Sequence, residues 1–172
     1  MRIAVALLAA AMAAAPACAQ SSPNLDDAAI VGIFDVANTA DIETGRLALE
    51  RGSRKEVRDF GRMLVDAHVA VRQQGRDLAK KLSVTPTTAA ATDMQKQHAA
   101  AIAKLSALRG AEFDRAFAEH EAAFHAAVID AVKTTLLPAI RNAELKELVT
   151  KVAPAFEAHR VGAENLRKRL GT

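Results

Sequence analysis

The stretch Glu43–His68, ETGRLALERGSRKEVRDFGRMLVDAH, decides the fold of this chain of 172 residues. Residues that favour helix fill both ends of the stretch, and Gly52-Ser53 interrupts them near its middle. Ser53 and Glu56 have the spacing of a capping box, which would start a second helix. Two long helices joined by so short a turn run antiparallel, so the stretch predicts a helical hairpin.

The pattern extends in both directions from this hairpin. Apolar residues recur at steps near 3.6 residues, and no stretch alternates as a strand does. Pro138 predicts a connection over residues 136–143, and Pro154 predicts a kink in the last helix or its true start. We therefore predict an all-α fold: an antiparallel four-helix bundle, with one short extra helix between its two hairpins, as a single domain over residues 20–172. The predicted helices span about residues 26–51, 54–82, 93–108, 112–134 and 144–170.

The N-terminal segment predicts export. Met1-Arg2 provides a positive start, an apolar run follows to Ala15, and Ala17-Cys18-Ala19 resembles a cleavage site. The run is shorter than the roughly 20 apolar residues of a transmembrane helix. We predict a cleavable signal peptide over residues 1–19, with cleavage between Ala19 and Gln20, and a location in the periplasm or outside the cell.

Cys18 leaves a second interpretation open. A lipoprotein would keep and acylate this cysteine, although Ala15 stands where such signals usually have leucine. If Cys18 is removed with the signal peptide, the mature chain has no cysteine for a disulfide, a thiolate ligand or a nucleophile.

Composition argues against several partners. The chain has 23 Lys and Arg against 20 Asp and Glu, without a large basic cluster, and it has neither Trp nor Tyr. Because nucleic-acid surfaces need basic patches and stacking platforms, we predict no nucleic-acid partner. No predicted helix is apolar all round, so we expect no transmembrane segment in the mature chain. A protein or another component of the cell envelope remains as the predicted partner.

Each of the four long predicted helices carries ionisable side chains on or beside its inward stripe, and Glu121 and His125 border the stripe of Phe117, Phe124 and Val128. A buried carboxylate costs several kcal/mol unless it is paired or coordinated, and a shared ion would satisfy several such groups at once. Imidazole with carboxylate suits zinc, iron or manganese, so the pattern predicts one divalent transition-metal ion. The predicted ligands are Glu43, His68, His125 and His159, with Glu121 as an optional fifth.

A structural interpretation stands beside this one. Glu43 could pair with His68 or His125 in a buried polar network without any metal. His98 and His120 are predicted to lie on the surface. Acid–base catalysis by Glu and His has no supporting nucleophile motif, and the sequence predicts no enzymatic activity.

The sequence resembles a family of exported bacterial proteins, the domain of unknown function 4142, often labelled putative outer membrane proteins and grouped with ferritin-like folds. The matching segments are Phe34–Ala37, Glu43–Ala48, Val57–His68, Phe113–Phe117 with His125, and Ala153–His159. The resemblance implies a ferritin-like four-helix bundle and no particular activity. Ferritin-like di-iron centres use two Glu-x-x-His motifs. Val65 and Phe156 replace the glutamates of those motifs here, so a mononuclear site is the better prediction.

Two functions follow from these observations. The first is a non-enzymatic, exported periplasmic protein that acts in envelope maintenance or stress tolerance. The alternative is a metal-binding ferritin-like protein with one ion held inside the bundle.

Overall fold

The computed structural model describes residues 25–171, and this part of the chain is helical without strands. The all-α prediction is therefore confirmed. The predicted signal peptide, its cleavage point and Cys18 lie outside the described residues. The α-helices are α1 Asp27–Arg51, α2 Lys55–Lys81, α3 Thr92–Ala107, α4 Gly110–Ala131, α5 Leu137–Ala139 and α6 Ala143–Leu170. Among them, none is both long enough and apolar enough to cross a membrane.

The first hairpin turn occupies only three residues between α1 and α2. The Gly52 amide donates to the Ala48 carbonyl and closes α1. The predicted capping box is wrong, because Arg54 occupies the N-cap position of α2 and provides no side-chain cap. Ser53 instead donates through its amide and its hydroxyl to the carboxylate of Asp114, on α4. A side chain 61 residues away therefore caps the start of α2.

The end of α4 differs from the predicted connection. A π-helical turn, Val132–Leu136, continues α4 into α5, and only Ile140–Asn142 separate α5 from α6. Pro138 lies at the start of α5, directly after the π-helical turn, so its missing N–H falls where the α-helical hydrogen-bond pattern already changes. The last helix begins at Ala143, capped by the Asn142 side chain, and runs through Pro154. Pro154 therefore does not mark its start.

The long helices pack mainly in pairs, α1 along α2 and α4 along α6. Small residues set the approach of the first pair. A Cβ atom added to Gly61 would lie 2.7 Å from both the Ala48 Cβ and the Gly45 carbonyl oxygen. Because real Cβ contacts do not approach so closely, α1 and α2 need glycine at this crossing.

The apolar core consists of two clusters of buried side chains. The first surrounds Ile30, Phe34 and Val149, and the second surrounds Leu64, Phe113 and Leu166. On each of α1, α2, α4 and α6, the sequence between the two clusters carries a buried ionisable residue. The interior thus has a polar layer between two apolar ones.

Candidate metal centre

The polar layer contains five ionisable side chains from four helices. All are between 0% and 7% exposed to solvent. An uncompensated charge at such depth costs several kcal/mol, so the layer needs a physical explanation. Its members are Asp41 on α1, His68 on α2, Glu121 and His125 on α4, and His159 on α6.

Two groups of potential ligand atoms meet in this layer. One nitrogen from each of His68, His125 and His159 lies within 4.8 Å of the others. One atom from each of Asp41, Glu121 and His125 satisfies the same limit. Ligands that share an ion with bonds near 2.1 Å lie within about 4.2 Å of one another, so small adjustments bring either group to coordinating distance. His125 belongs to both groups and links them.

Hydrogen bonds at Nδ1 of His68 and His125 determine which nitrogen of each ring faces inward. Asn38 donates from Nδ2 to the Phe34 carbonyl at 2.7 Å, which turns its Oδ1 toward His68 Nδ1, 3.0 Å away. His125 Nδ1 donates to the Glu121 carbonyl at 2.9 Å. Both rings therefore carry their proton on Nδ1 and present the lone pair of Nε2. Metal-binding histidines are oriented in this way, by a carbonyl or carboxylate on the other nitrogen.

The inward-facing nitrogens differ in their partners. His68 Nε2 accepts a hydrogen bond from His159 Nδ1 at 3.1 Å. His125 Nε2 is buried and has no hydrogen-bond partner within the described part of the chain. Asp41 Oδ1 lies 3.7 Å from it and is likewise unpartnered. A lone pair and a carboxylate oxygen both accept hydrogen bonds, so only a proton or a cation between them makes this contact favourable.

Glu121 adds further unpartnered atoms. Both of its carboxyl oxygens are buried and make no hydrogen bond of normal geometry with another described residue, although Thr44 and Asp41 lie close enough to interact with them. The neighbouring Thr44 hydroxyl donates instead to the backbone carbonyls of α1. Because buried polar groups are nearly always hydrogen-bonded in proteins, four unpartnered atoms in one layer are unusual and mark it as a candidate site.

Burial keeps the imidazoles neutral. It lowers the pKa of His68 to about 3, with further lowering from the charges of His159 and His125. It also lowers the pKa of His125 to about 4, although the bond to the Glu121 carbonyl opposes the shift. The pKa of His159 is lowered for the same reason. Neutral imidazole is the form that binds metal.

The carboxyl groups shift in the opposite direction. Burial raises the pKa of Asp41, and the nearby charge of Glu121 raises it further. Burial also raises the pKa of Glu121, to about 7. Without a cation, the pair therefore retains protons near neutral pH, and a bound cation would displace them.

These shifts predict how the stability of metal-free protein depends on pH. As pH falls below about 6.5, the histidines of the unfolded chain bind protons, whereas the buried His68, His125 and His159 of the folded chain do not. Because the unfolded chain then binds more protons, lower pH favours unfolding. As pH rises from about 4.5 through 7, the unfolded chain loses the protons that Asp41 and Glu121 retain when folded, which opposes this trend.

The imidazoles outnumber the carboxyls, so we expect the free energy of unfolding to fall by about 1 kcal/mol per pH unit from pH 6.5 to 5, and also to fall as pH rises from 6.5 through about 7, where the proton of Glu121 is lost. Urea denaturation with a chelator present, from pH 4.5 to 8.5, measures this. A free energy of unfolding that stays constant between pH 5 and 6.5 would contradict it. Glu121→Gln should reduce the loss on the alkaline side.

The structure separates Glu43 from the other predicted ligands. Its side chain is 51% exposed and accepts a hydrogen bond from His98, on α3. The prediction that Glu43 lies on the inward stripe is wrong, because the buried face of α1 follows Phe34, Asp41 and Ala48 instead. Asp41 provides the carboxylate from α1.

The sequence contained one signal for Asp41. It precedes Gly45 and Ala48 by four and seven residues, so all three share a face of α1. Small residues at that spacing mark the face on which another helix approaches closely. The hydrophobic stripe used for the prediction was drawn through larger residues, and it lies to one side of this face.

Glu121 and His125 also lie differently from their predicted position. The sequence put them at the border of a stripe centred on Phe117, Phe124 and Val128. In the structure the centre of the buried face runs through Phe117, Glu121 and His125, whereas Phe124 and Val128 are only half-buried. His68 and His159 face inward, as their phase indicated.

Comparison with known proteins identifies a family without assigning an activity. The model of a family described as a domain of unknown function, DUF4142, matches residues 10–166. The chain belongs to this family. No curated protein and no solved structure gave a significant match. The chemistry of the family member described here must therefore be inferred from its own site.

Proposed function

We propose that this DUF4142 protein binds one divalent transition-metal ion between its long helices. His68, His125 and His159 provide nitrogen ligands, Asp41 provides an oxygen ligand, and Glu121 is available as a fifth. The observation that carries the proposal is the buried contact of 3.7 Å between His125 Nε2 and Asp41 Oδ1, neither of which has a hydrogen-bond partner among the described residues.

A structural polar network explains the layer less well. Such a network stabilises a core only when its members are hydrogen-bonded, because each unsatisfied buried group costs about 1–3 kcal/mol. A divalent cation would neutralise Asp41 and Glu121 and accept the lone pair of His125. One ion would thus bind beside the unpartnered atoms of Asp41, Glu121 and His125.

The donor set favours particular metals. Three imidazoles with one or two carboxylates suit zinc or iron, followed by manganese. Mg²⁺ and Ca²⁺ prefer oxygen ligands, so this layer discriminates against them. Because His125 Nδ1 is bonded to the Glu121 carbonyl, only its Nε2 can coordinate. A mononuclear site fits this restriction.

We extend the proposal to architecture and location. The pairing of α1 with α2 and of α4 with α6 supports a ferritin-like four-helix bundle, with α3 as the extra helix between hairpins. The segment before Gln20 supports export to the periplasm. There the protein would hold its ion as a non-enzymatic component of envelope maintenance or stress tolerance, with a protein or envelope partner.

Zinc titration of tag-free, chelator-treated protein tests the metal proposal. Isothermal calorimetry should give one tight equivalent of Zn²⁺. Asp41→Asn and His125→Gln should weaken binding at least 100-fold, because each removes an inward ligand without changing the size of the side chain much. Asp66→Asn, an exposed aspartate on α2, is the matched control and should leave binding unchanged. Equal affinity in all four proteins would refute the proposal.

A further inference from the structure

A second group of ligand-type side chains lies outside the polar layer, where α1, α3 and α4 meet. His98 on α3 reaches across to α1, and its Nε2 lies 2.7 Å from Glu43 Oε2. The His98 side chain is only 13% exposed, which corrects its predicted surface position. Its second nitrogen, Nδ1, is buried without a hydrogen-bond partner in the described part of the chain.

His120 on α4 faces the same place. It lies beside His98 in a groove of about 290 Å³, which Met94, Gln97 and Phe124 also line. His120 is half-buried rather than on the surface, and burial lowers its pKa to about 4, with further lowering by His98. Its nitrogens form no hydrogen bond with another described residue.

The groove borders the polar layer, which is called the inner site below. His120 stacks on Phe124 with ring centroids 5.9 Å apart, and Phe124 meets His125 edge-on at 6.0 Å. His120 also directly precedes Glu121 in the chain. One turn of α4 thus carries groups that face the groove and groups that face the polar layer.

The helix that covers this groove is weakly anchored. Leu105, near its C-terminal end, is the only buried residue of α3. Two polar contacts between described residues join α3 to α1: His98 contacts Glu43 near the middle of α3, and the Arg51 guanidinium donates to the Ser106 carbonyl near its end. The inner ligands are at most 7% exposed, so an ion reaches them only when some element moves. Displacement of α3 would break these two contacts and the packing of Leu105.

We propose that Glu43, His98 and His120 form a second, weaker site for a divalent transition-metal ion, and that this groove is the entrance to the inner site. The second clause rests on the proposed function, whereas the first does not. Two imidazoles and a carboxylate are suitable ligands for the same class of ion. The ion would replace the proton shared by Glu43 and His98, and water would complete its coordination. Binding is weaker because the ligands are partly exposed and His120 must rotate toward the pair.

The second site, called the outer site below, can be tested in protein whose inner site has been removed by mutation. In an Asp41→Asn/His125→Gln background, Co²⁺ titration followed by visible absorption should show one weak equivalent. Adding His98→Gln and His120→Gln should reduce that affinity at least tenfold, and Glu43→Gln should reduce it less. Circular dichroism checks the fold of each variant, and the exposed position of Glu43 provides a variant that disturbs no core contact. Unchanged affinity in the Glu43→Gln and histidine variants would overturn the outer site.

The rate at which the inner site takes up Co²⁺ tests the proposed entrance. With the inner ligands intact, His98→Gln/His120→Gln should slow stopped-flow loading of Co²⁺ at least fivefold and leave the final inner stoichiometry at one. An unchanged loading rate would overturn the entrance role. If the unmodified protein binds only the weak equivalent, the proposed function fails while the outer site stands.

Discussion

Addition of Zn²⁺ to the chelator-treated protein is expected to raise its melting temperature by about 10 °C. A ligand that binds only the folded state at 1,000 times its dissociation constant stabilises a protein by about 4 kcal/mol. In a chain of this length, each kcal/mol shifts the melting temperature by about 2–4 °C. The gain arises because the ion compensates the buried carboxyls of Asp41 and Glu121, which destabilise the metal-free fold.

Scanning calorimetry or thermal circular dichroism measures this shift, with four controls. Mg²⁺ has the same charge but prefers oxygen ligands, so it should shift the melting temperature by less than about 1 °C. Asp41→Asn should lose most of the zinc effect, whereas Asp66→Asn should keep it. Glu43→Gln separates the sequence prediction from the structure, since an exposed carboxylate paired with His98 should contribute little to the shift. Equal shifts with Mg²⁺ and Zn²⁺ would argue against a coordinated ion.

Asp114→Ala is expected to lower the free energy of unfolding by about 3 kcal/mol, since it leaves buried donors without their acceptor. Asp114 is fully buried at the turn between α1 and α2. Its carboxylate accepts from the Ser53 amide at 2.8 Å, the Ser53 hydroxyl at 2.5 Å and the Arg54 amide at 3.1 Å. The two amides stand at the N-terminus of α2, where a negative charge also interacts favourably with the helix dipole.

Urea denaturation of metal-free protein measures the Asp114 effect. Asp114→Asn keeps the size and one acceptor oxygen, so its loss should be roughly half as large. Ser53→Ala removes only the hydroxyl donor and should cost about 1 kcal/mol. A loss below about 1 kcal/mol for Asp114→Ala would show that the turn is stabilised by other contacts.

The local parts of the fold could be predicted from the sequence. Gly52-Ser53 between two helical patterns defines the first turn, and the phase of His68 and His159 within apolar stripes places them inward. Such features depend on neighbours three or four residues away, which a sequence displays directly. The contact of Asp114 with Ser53 spans 61 residues, and no local pattern reports it.

The error at Glu43 has a physical cause. Helix α1 packs against α2 on one side and faces the interior, α3 and the segment before α3 on others, so 13 of its 25 residues are buried and residues 29–34 are buried all round. A helix buried on several sides has no single apolar stripe, and its phase cannot be read from large residues alone. The close contact between Gly45 and Gly61, rather than hydrophobicity, indicates which face meets α2. That face carries Asp41.

The metal content of protein purified without a tag and without added metal tests the central claim most directly. The account predicts about one equivalent of a single transition metal by elemental mass spectrometry, and less than a tenth of an equivalent in Asp41→Asn/His125→Gln. It further predicts an unchanged content in Asp66→Asn. Less than a tenth of an equivalent in the unmodified protein, with no uptake when Zn²⁺, Fe²⁺ or Mn²⁺ is then supplied, would contradict it.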